Sequence, residues 1–388
     1  MKVTRVETLH ADRYMYVKVS TDEGLIGWGE LHPASGTGGT PYLPKAGVDY
    51  CAEYLVGKNP LEIEKHWQHM FRRCLFRGGA DVMAAIGAID IALWDIKGKS
   101  YGKPVYELLG GPTRDRVRLY THLAGDSPEE LAEEARARVE EGFTAVRLYP
   151  FGGFGQSPAE ASGLERMSFT ALQRAAVARV AAVREAIGPD VDLIIDTINR
   201  LTPAEAIAVG RALEPFNLYF FEDPIEPENM DQWGYVAAQL PMPIAMGERL
   251  YTIYQFRDLL RAKGAAFIRP DLSLAGGITN IRKIAALAEA EYVGVVPHNP
   301  LSAVLTAACV QLDAATPNIP VQEYPYTDNQ GVKRDLVHEP IEREGGYLKL
   351  PSRPGIGVEV NEAAVKHYPP KPYDRPPLLY ADGSLRDY

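Results

Sequence analysis

The chain has 388 residues, 46% hydrophobic and 24% charged, with a net charge of −10. This is the make-up of a globular protein long enough for a large domain plus a smaller one. The absence of a basic stripe argues against a nucleic-acid partner, and the absence of any run of about 18 apolar residues argues against a membrane span. Three scattered cysteines, Cys51, Cys74 and Cys309, show no Cys-x-x-Cys spacing, so neither a disulfide framework nor a zinc ribbon is expected, and a reducing cytoplasm is the simpler setting.

The first thirty residues alternate as strands do, through Val3, Val6, Met15, Val17, Val19, Leu25, Ile26 and Trp28, with a turn at Asp22-Glu23-Gly24. They predict an antiparallel meander rather than a signal peptide. Residues 33–44 are rich in Gly, Pro, Ser and Thr and predict a mobile loop. From Val82 to Lys99 the apolar spacing turns helical, with Trp94 and Ile96 as core positions. Short apolar runs then recur, each followed by a helix: VRLYTHL (117–123), TAVRLY (144–149), DLIID (192–196), LYFFED (218–223), PIAMGE (243–248), AFIRPD (266–271), VGVVPH (293–298) and IPVQE (319–323). Ser127-Pro128-Glu129-Glu130 and Thr202-Pro203-Ala204-Glu205 are capping boxes with proline at the first helical position. Strands alternating with helices predict a parallel (β/α) barrel. The expected organisation is an α+β capping domain over residues 1–115, a barrel over 116–340, and a segment over 341–388 that returns to the cap.

Three successive barrel strands end in Asp196, Glu222 and Glu248. Strand C-termini meet at one mouth of such a barrel, and carboxylates gathered there repel unless a cation neutralises them. Hard oxygen donors without His or Cys favour Mg²⁺ over zinc. The next strands end in Asp271 and His298, a pairing in which the carboxylate fixes one imidazole nitrogen and leaves the other as a base. The eighth ends in Glu323, a hydrogen-bond donor if protonated. Mg²⁺ beside a base suits removal of a proton next to a carboxylate, because the charge built there needs stabilisation.

The segments TDEGLIGWGE (21–30), AAIGAIDIALWDIKGK (84–99), DTINR (196–200), FFEDPIEPEN (220–229), GERL (247–250), RPDLSLAGGIT (269–279) and PHNP (297–300) together resemble the mandelate racemase subgroup of the enolase superfamily. Nearly the whole chain is covered. The resemblance implies a modified (β/α)₇β TIM-like barrel with an α+β cap, Mg²⁺ on Asp196, Glu222 and Glu248, a His298–Asp271 base dyad, Glu323 facing the substrate carboxylate, and a homo-oligomer. Within the subgroup the chain is most similar to dehydratases of acid sugars, on PFGGFG (150–155), KRDLV (333–337), EGGYLKLPSRPGIGVEVNE (344–362) and the closing Pro- and Tyr-rich run. Where mandelate racemase carries Lys-x-Lys, this chain has Arg147-Leu148-Tyr149, as does a galactarate dehydratase branch in which the tyrosine transfers a proton. Where galactonate dehydratases carry a histidine two residues after the third-strand aspartate, this chain has Ile198.

The function expected is therefore Mg²⁺-dependent dehydration of an aldonate or aldarate to a 2-keto-3-deoxy acid. Two other readings stand beside it: a racemase or epimerase using His298 and Tyr149 on opposite faces, and a sensing protein that binds acid sugars with little turnover. His32, Arg77, His122, Asn199 and Arg249 are candidate substrate contacts. A turn, a helix cap or a solvated surface explains each of them as well. The stretch GGFGQS (152–157) lacks the third glycine and the lysine of a phosphate loop.

Overall fold

The computed structural model describes residues 1–33, 42–152, 168–371, 378–379 and 382–386. Most of the expected loop at 33–44, most of 150–157 and much of the closing tail lie outside them. In chain order the elements are β1 (Val3–Ala11), β2 (Tyr14–Thr21), β3 (Ile26–Glu30), α1 (Tyr42–Leu55), α2 (Ile63–Arg73) and α3 (Gly79–Tyr101). Next come β4 (Arg116–His122), α4 (Pro128–Glu140), β5 (Ala145–Leu148), α5 (Phe169–Ile187), β6 (Asp192–Asp196), α6 (Pro203–Leu213), β7 (Leu218–Glu222), α7 (Met230–Gln239) and β8 (Ile244–Met246). The series continues with α8 (Ile253–Ala262), β9 (Phe267–Ile268), α9 (Gly277–Ala290), β10 (Gly294–Val295), α10 (Ala303–Ala315), β11 (Gln322–Tyr324), β12 (Arg343–Glu344) and β13 (Tyr347–Lys349).

These elements form two compact units. The first comprises Met1–Arg118, Glu248–Gln255 and Pro270–Arg375; the second comprises Leu119–Gly247, Phe256–Arg269 and Pro376–Tyr388.

In the first unit β1, β2 and β3 make the expected antiparallel meander, with Val17 opposite Gly29 and Val19 opposite Gly27. The two glycines are required by what covers them. A Cβ on Gly27 would stand 2.0 Å from the Ala92 carbonyl oxygen, and one on Gly29 would stand 1.9 Å from that of Ala88, so α3 lies directly on the strand backbone. Helix α3 is buried through most of its middle. It extends beyond the predicted Val82–Lys99 because glycines in left-handed conformation bound it, Gly78 before and Gly102 after. Fully buried Asp95 draws distant segments together: one carboxylate oxygen accepts the Trp28 N–H and meets Lys99 Nζ at 2.7 Å, while the other accepts the Ile356 N–H. Late residues also reach the meander through Lys18–Glu362 at 2.6 Å and the Trp28 indole on Glu359 at 2.9 Å.

In the second unit β4 to β9 are parallel, adjacent in order and separated by helices. The Ser127 and Thr202 capping boxes form at α4 and α6 as expected. Among the described residues no helix is long and apolar enough to cross a membrane, and all three cysteines are free. The runs AFIRPD and VGVVPH yield only two-residue strands, β9 and β10. Pro270 and Pro297 offer no N–H, which stops ladder pairing just before Asp271 and His298.

Candidate active site

Parallel register delivers the acidic side chains of the second unit. Asp196 at the end of β6 pairs directly with Glu222 at the end of β7, and both are buried. Arg147 on β5 lies against both carboxylates, with Nη1 2.6 Å from Glu222 Oε1 and 3.2 Å from Asp196 Oδ2. Its Nη2 donates to the Tyr149 hydroxyl and lies 3.5 Å from His122 Nδ1 at the end of β4. A second guanidinium, fully buried Arg269, stands 3.0 Å from Glu222 Oε1 and donates to the Tyr120 hydroxyl at 2.7 Å. Asp196, Glu222 and Asp223 each offer an oxygen within 4.8 Å of the others. All three are buried, and hard oxygen donors with neither His nor Cys suit Mg²⁺ chemically.

The loops after β6 and β7 are held in unusual backbone conformations. Ile198, Asn199 and Asp223 have φ of 55°, 58° and 41°, a region that β-branched isoleucine rarely enters. Local bonds over-determine them: Ile198 N–H donates to Asp196 Oδ1 at 2.8 Å, Asn199 N–H to the Asp223 carbonyl at 2.7 Å, and Asn199 Nδ2 to the Ile225 carbonyl at 2.6 Å. Asn199 thus acts as a brace between two loops.

The first unit carries the second group. Asp271 and His298 are joined by a parallel bridge, and Asp271 Oδ2 lies 3.0 Å from His298 Nδ1. The other Asp271 oxygen accepts the Leu274 N–H, which fixes the carboxylate. His298 Nε2 lies 3.4 Å from Glu248 Oε2. Burial alone would lower the imidazole pKa, but the charges of Glu248 and Glu323 and the bond to Asp271 outweigh it and raise the pKa to about 9. His32 Nε2 approaches Asp271 Oδ2 at 3.9 Å. Glu323 is buried, and its Oε2 accepts the Asn299 N–H at 3.0 Å.

An N-terminal domain model of mandelate racemase and muconate lactonizing enzyme matches residues 2–110, and an enolase C-terminal domain-like model matches residues 130–364. The chain belongs to the mandelate racemase subgroup of the enolase superfamily. D-galactonate dehydratases from Variovorax paradoxus and Ralstonia nicotianae are each 39% identical to it, over the full length of both chains. An enolase from Agrobacterium radiobacter, proposed as a galactarate dehydratase and holding sodium and L-malate, is 34% identical, with a TM-score of 0.90 over all of both chains. A proposed dehydratase from Mesorhizobium loti is 33% identical, with a TM-score of 0.87 over 95% of this chain and 98% of that one. The fold class is accordingly a modified (β/α)₇β TIM-like barrel with an α+β cap, and the enzyme class is hydro-lyase.

In this member of the enolase superfamily the remaining sequence candidates fall in different places. His122 lies beside Arg147 in the second unit, and His32 beside the dyad in the first. Arg249 is half-buried next to Glu248. Arg77 is exposed, stacked over Phe71 with its guanidinium on the Cys74 carbonyl, as a turn residue would be. Sequence reasoning did not single out Arg269, Asp223, Asn299 or Glu30. Arg269 had a signal in its position two residues before Asp271, in the RPD run. Glu30 had one as the closing acid of TDEGLIGWGE, and its Oε2 accepts the N–H groups of Ser302 and Leu305 where α10 begins.

Proposed function

We propose that the chain dehydrates an acid sugar, an aldonate or aldarate, to a 2-keto-3-deoxy acid. Asp196, Glu222 and Glu248, near the ends of three consecutive strands, are the proposed Mg²⁺ ligands. When bound, the ion supplies positive charge where negative charge builds on the substrate carboxylate. The observation that carries the reading is the Asp271–His298 pair. Because Asp271 engages Nδ1, His298 accepts the α-proton at Nε2. The imidazolium so formed is held by the Asp271 carboxylate at Nδ1. Glu323, in its protonated form, donates a hydrogen bond to the substrate carboxylate, and either Tyr149 or the newly charged His298 protonates the departing 3-hydroxyl. Loss of that hydroxyl as water leaves an enol, which becomes the keto acid.

The dehydratase relatives support this reaction class, and Arg147-Leu148-Tyr149 with its Arg147–Tyr149 hydrogen bond supports an aldarate. Ile198 carries no proton to give, which sets the chain apart from a galactonate enzyme that relies on histidine there. The test is a panel of aldonates and aldarates with Mg²⁺, scored for 2-keto acids with semicarbazide. Keto acid from at least one member, abolished by His298→Asn, is expected. No product from any member, or full turnover by His298→Asn, would overturn the proposal.

A further inference from the structure

Behind Glu323 runs a file of buried polar side chains whose hydrogens can be ordered in only one way. The Lys333 ammonium donates to Asp328 Oδ1 at 3.0 Å, and the Thr306 hydroxyl donates to Asp328 Oδ2. With its single proton committed, Thr306 Oγ1 can only accept, and it takes an Asn299 Nδ2 hydrogen at 2.8 Å. The second Nδ2 hydrogen goes to the Glu323 carbonyl at 3.1 Å. Among the described residues nothing donates to Asn299 Oδ1. Turning the amide over would set that oxygen against two acceptors, Thr306 Oγ1 and the Glu323 carbonyl, so its orientation is fixed from both ends of the file. The backbone N–H of the same asparagine donates to Glu323 Oε2 at 3.0 Å.

No member of the file meets bulk solvent appreciably: Asn299 is 0% exposed, Thr306 3%, Asp328 1% and Lys333 7%. Hydrogen bonds in such surroundings are strong and costly to leave unmade. Burial pushes the Asp328 carboxyl upward, and the Lys333 ammonium and Thr306 hydroxyl restrain it. The arrangement is far more specific than filling space would need, and it terminates on the carboxyl group of Glu323 within β11.

We propose that Lys333, Asp328, Thr306 and Asn299 form a positioning relay that fixes the orientation of the Glu323 carboxylate for the reaction. The proposal rests on the reading that Glu323 faces the substrate. Thr306→Val removes the donor and acceptor while keeping the shape, Thr306→Ser restores them, and Asp328→Asn removes the charge that sets the polarity.

Two measurements test it. The first is kcat and KM on whichever acid sugar the wild-type enzyme turns over. Thr306→Val and Asp328→Asn are expected to lower kcat by roughly 10- to 100-fold with KM little changed, since a misplacement of about 1 Å carries a penalty of that size. Thr306→Ser is expected to recover most of the loss. Unchanged kcat in Thr306→Val and Asp328→Asn, or equal losses in the valine and serine variants, would overturn the relay. The second is the crystal structure of Thr306→Val, or of Asp328→Asn where the valine variant does not fold. A displaced Asn299 side chain and Glu323 Oε2 parted from the Asn299 N–H are the expected result; both groups unmoved would overturn the relay. If the wild type turns over no acid sugar, the functional reading fails and the crystallographic result alone decides the relay.

Discussion

Arg147→Met probes the acidic group where it is most crowded. The guanidinium lies within 3.2 Å of both Asp196 and Glu222, and all three side chains are buried. Removing one partner of a buried ion pair costs about 3–5 kcal/mol. Glu222 keeps Arg269 at 3.0 Å, which puts the expected loss at the lower end, about 3 kcal/mol. With about 2 cal/mol/K of unfolding entropy per residue, that lowers the Tm by about 4 °C. The response to Mg²⁺ should run the other way. A divalent ion held on these carboxylates roughly 5 Å from the guanidinium would be repelled by about 7 kcal/mol at an effective dielectric of about 20. Even if most of that is screened, losing the guanidinium should tighten Mg²⁺ binding by at least about tenfold. Titration calorimetry with Mg²⁺, together with thermal unfolding with and without the ion, reads both effects. Mg²⁺ affinity no greater in Arg147→Met than in the wild type would refute the idea that the two cations share these carboxylates.

Asp271→Asn keeps an acceptor near His298 Nδ1 but removes the charge, and kcat should fall by roughly 10²–10⁴ with little change in Tm, as judged by steady-state kinetics and unfolding. Asp95→Ala leaves the Trp28 and Ile356 N–H groups without their acceptor and takes one of the partners of Lys99, which keeps Glu359 and the Ile26 carbonyl, so denaturant titration should show a loss of about 3 kcal/mol. Burial pushes the Glu30 carboxyl up to about 7, against the opposing bonds from Ser302 and Leu305. A raised acid contributes stability below its unfolded pKa and loses it as pH rises through the folded value. Between pH 5 and pH 8, Glu30→Gln should therefore lose less unfolding free energy than the wild type, by about 2.5 kcal/mol. Equal changes in the two proteins over that range would count against it.

Features written in neighbouring residues were legible in the sequence. The Ser127 and Thr202 capping boxes need four residues each, and the alternation through Val17 and Val19 needs only a strand period. The acidic ends of successive strands were legible because the βα repeat places them. The position of Arg147 was not, since its contact with Asp196 and Glu222 arises from the register of β5, β6 and β7, which no local pattern encodes. The file from Lys333 to Asn299 was hidden for the same reason: its members read singly as a lysine, an acid and small polar residues. The shortness of β9 and β10 could have been foreseen from Pro270 and Pro297, had the prolines been weighed against the apolar runs preceding them.

The bond from Ile356 to Asp95 spans 261 residues of chain, and that from Glu359 to the Trp28 indole spans 331. A nascent chain emerging from the ribosome must therefore hold its first hundred residues with Asp95 still lacking the Ile356 donor until nearly all the rest has been made. Contacts of such long range close slowly and leave apolar surface uncovered meanwhile. Synthesis order thus leaves the opening meander and α3 waiting longest for these two bonds, and a truncation that removes the Ile356 and Glu359 region should injure the earliest residues first.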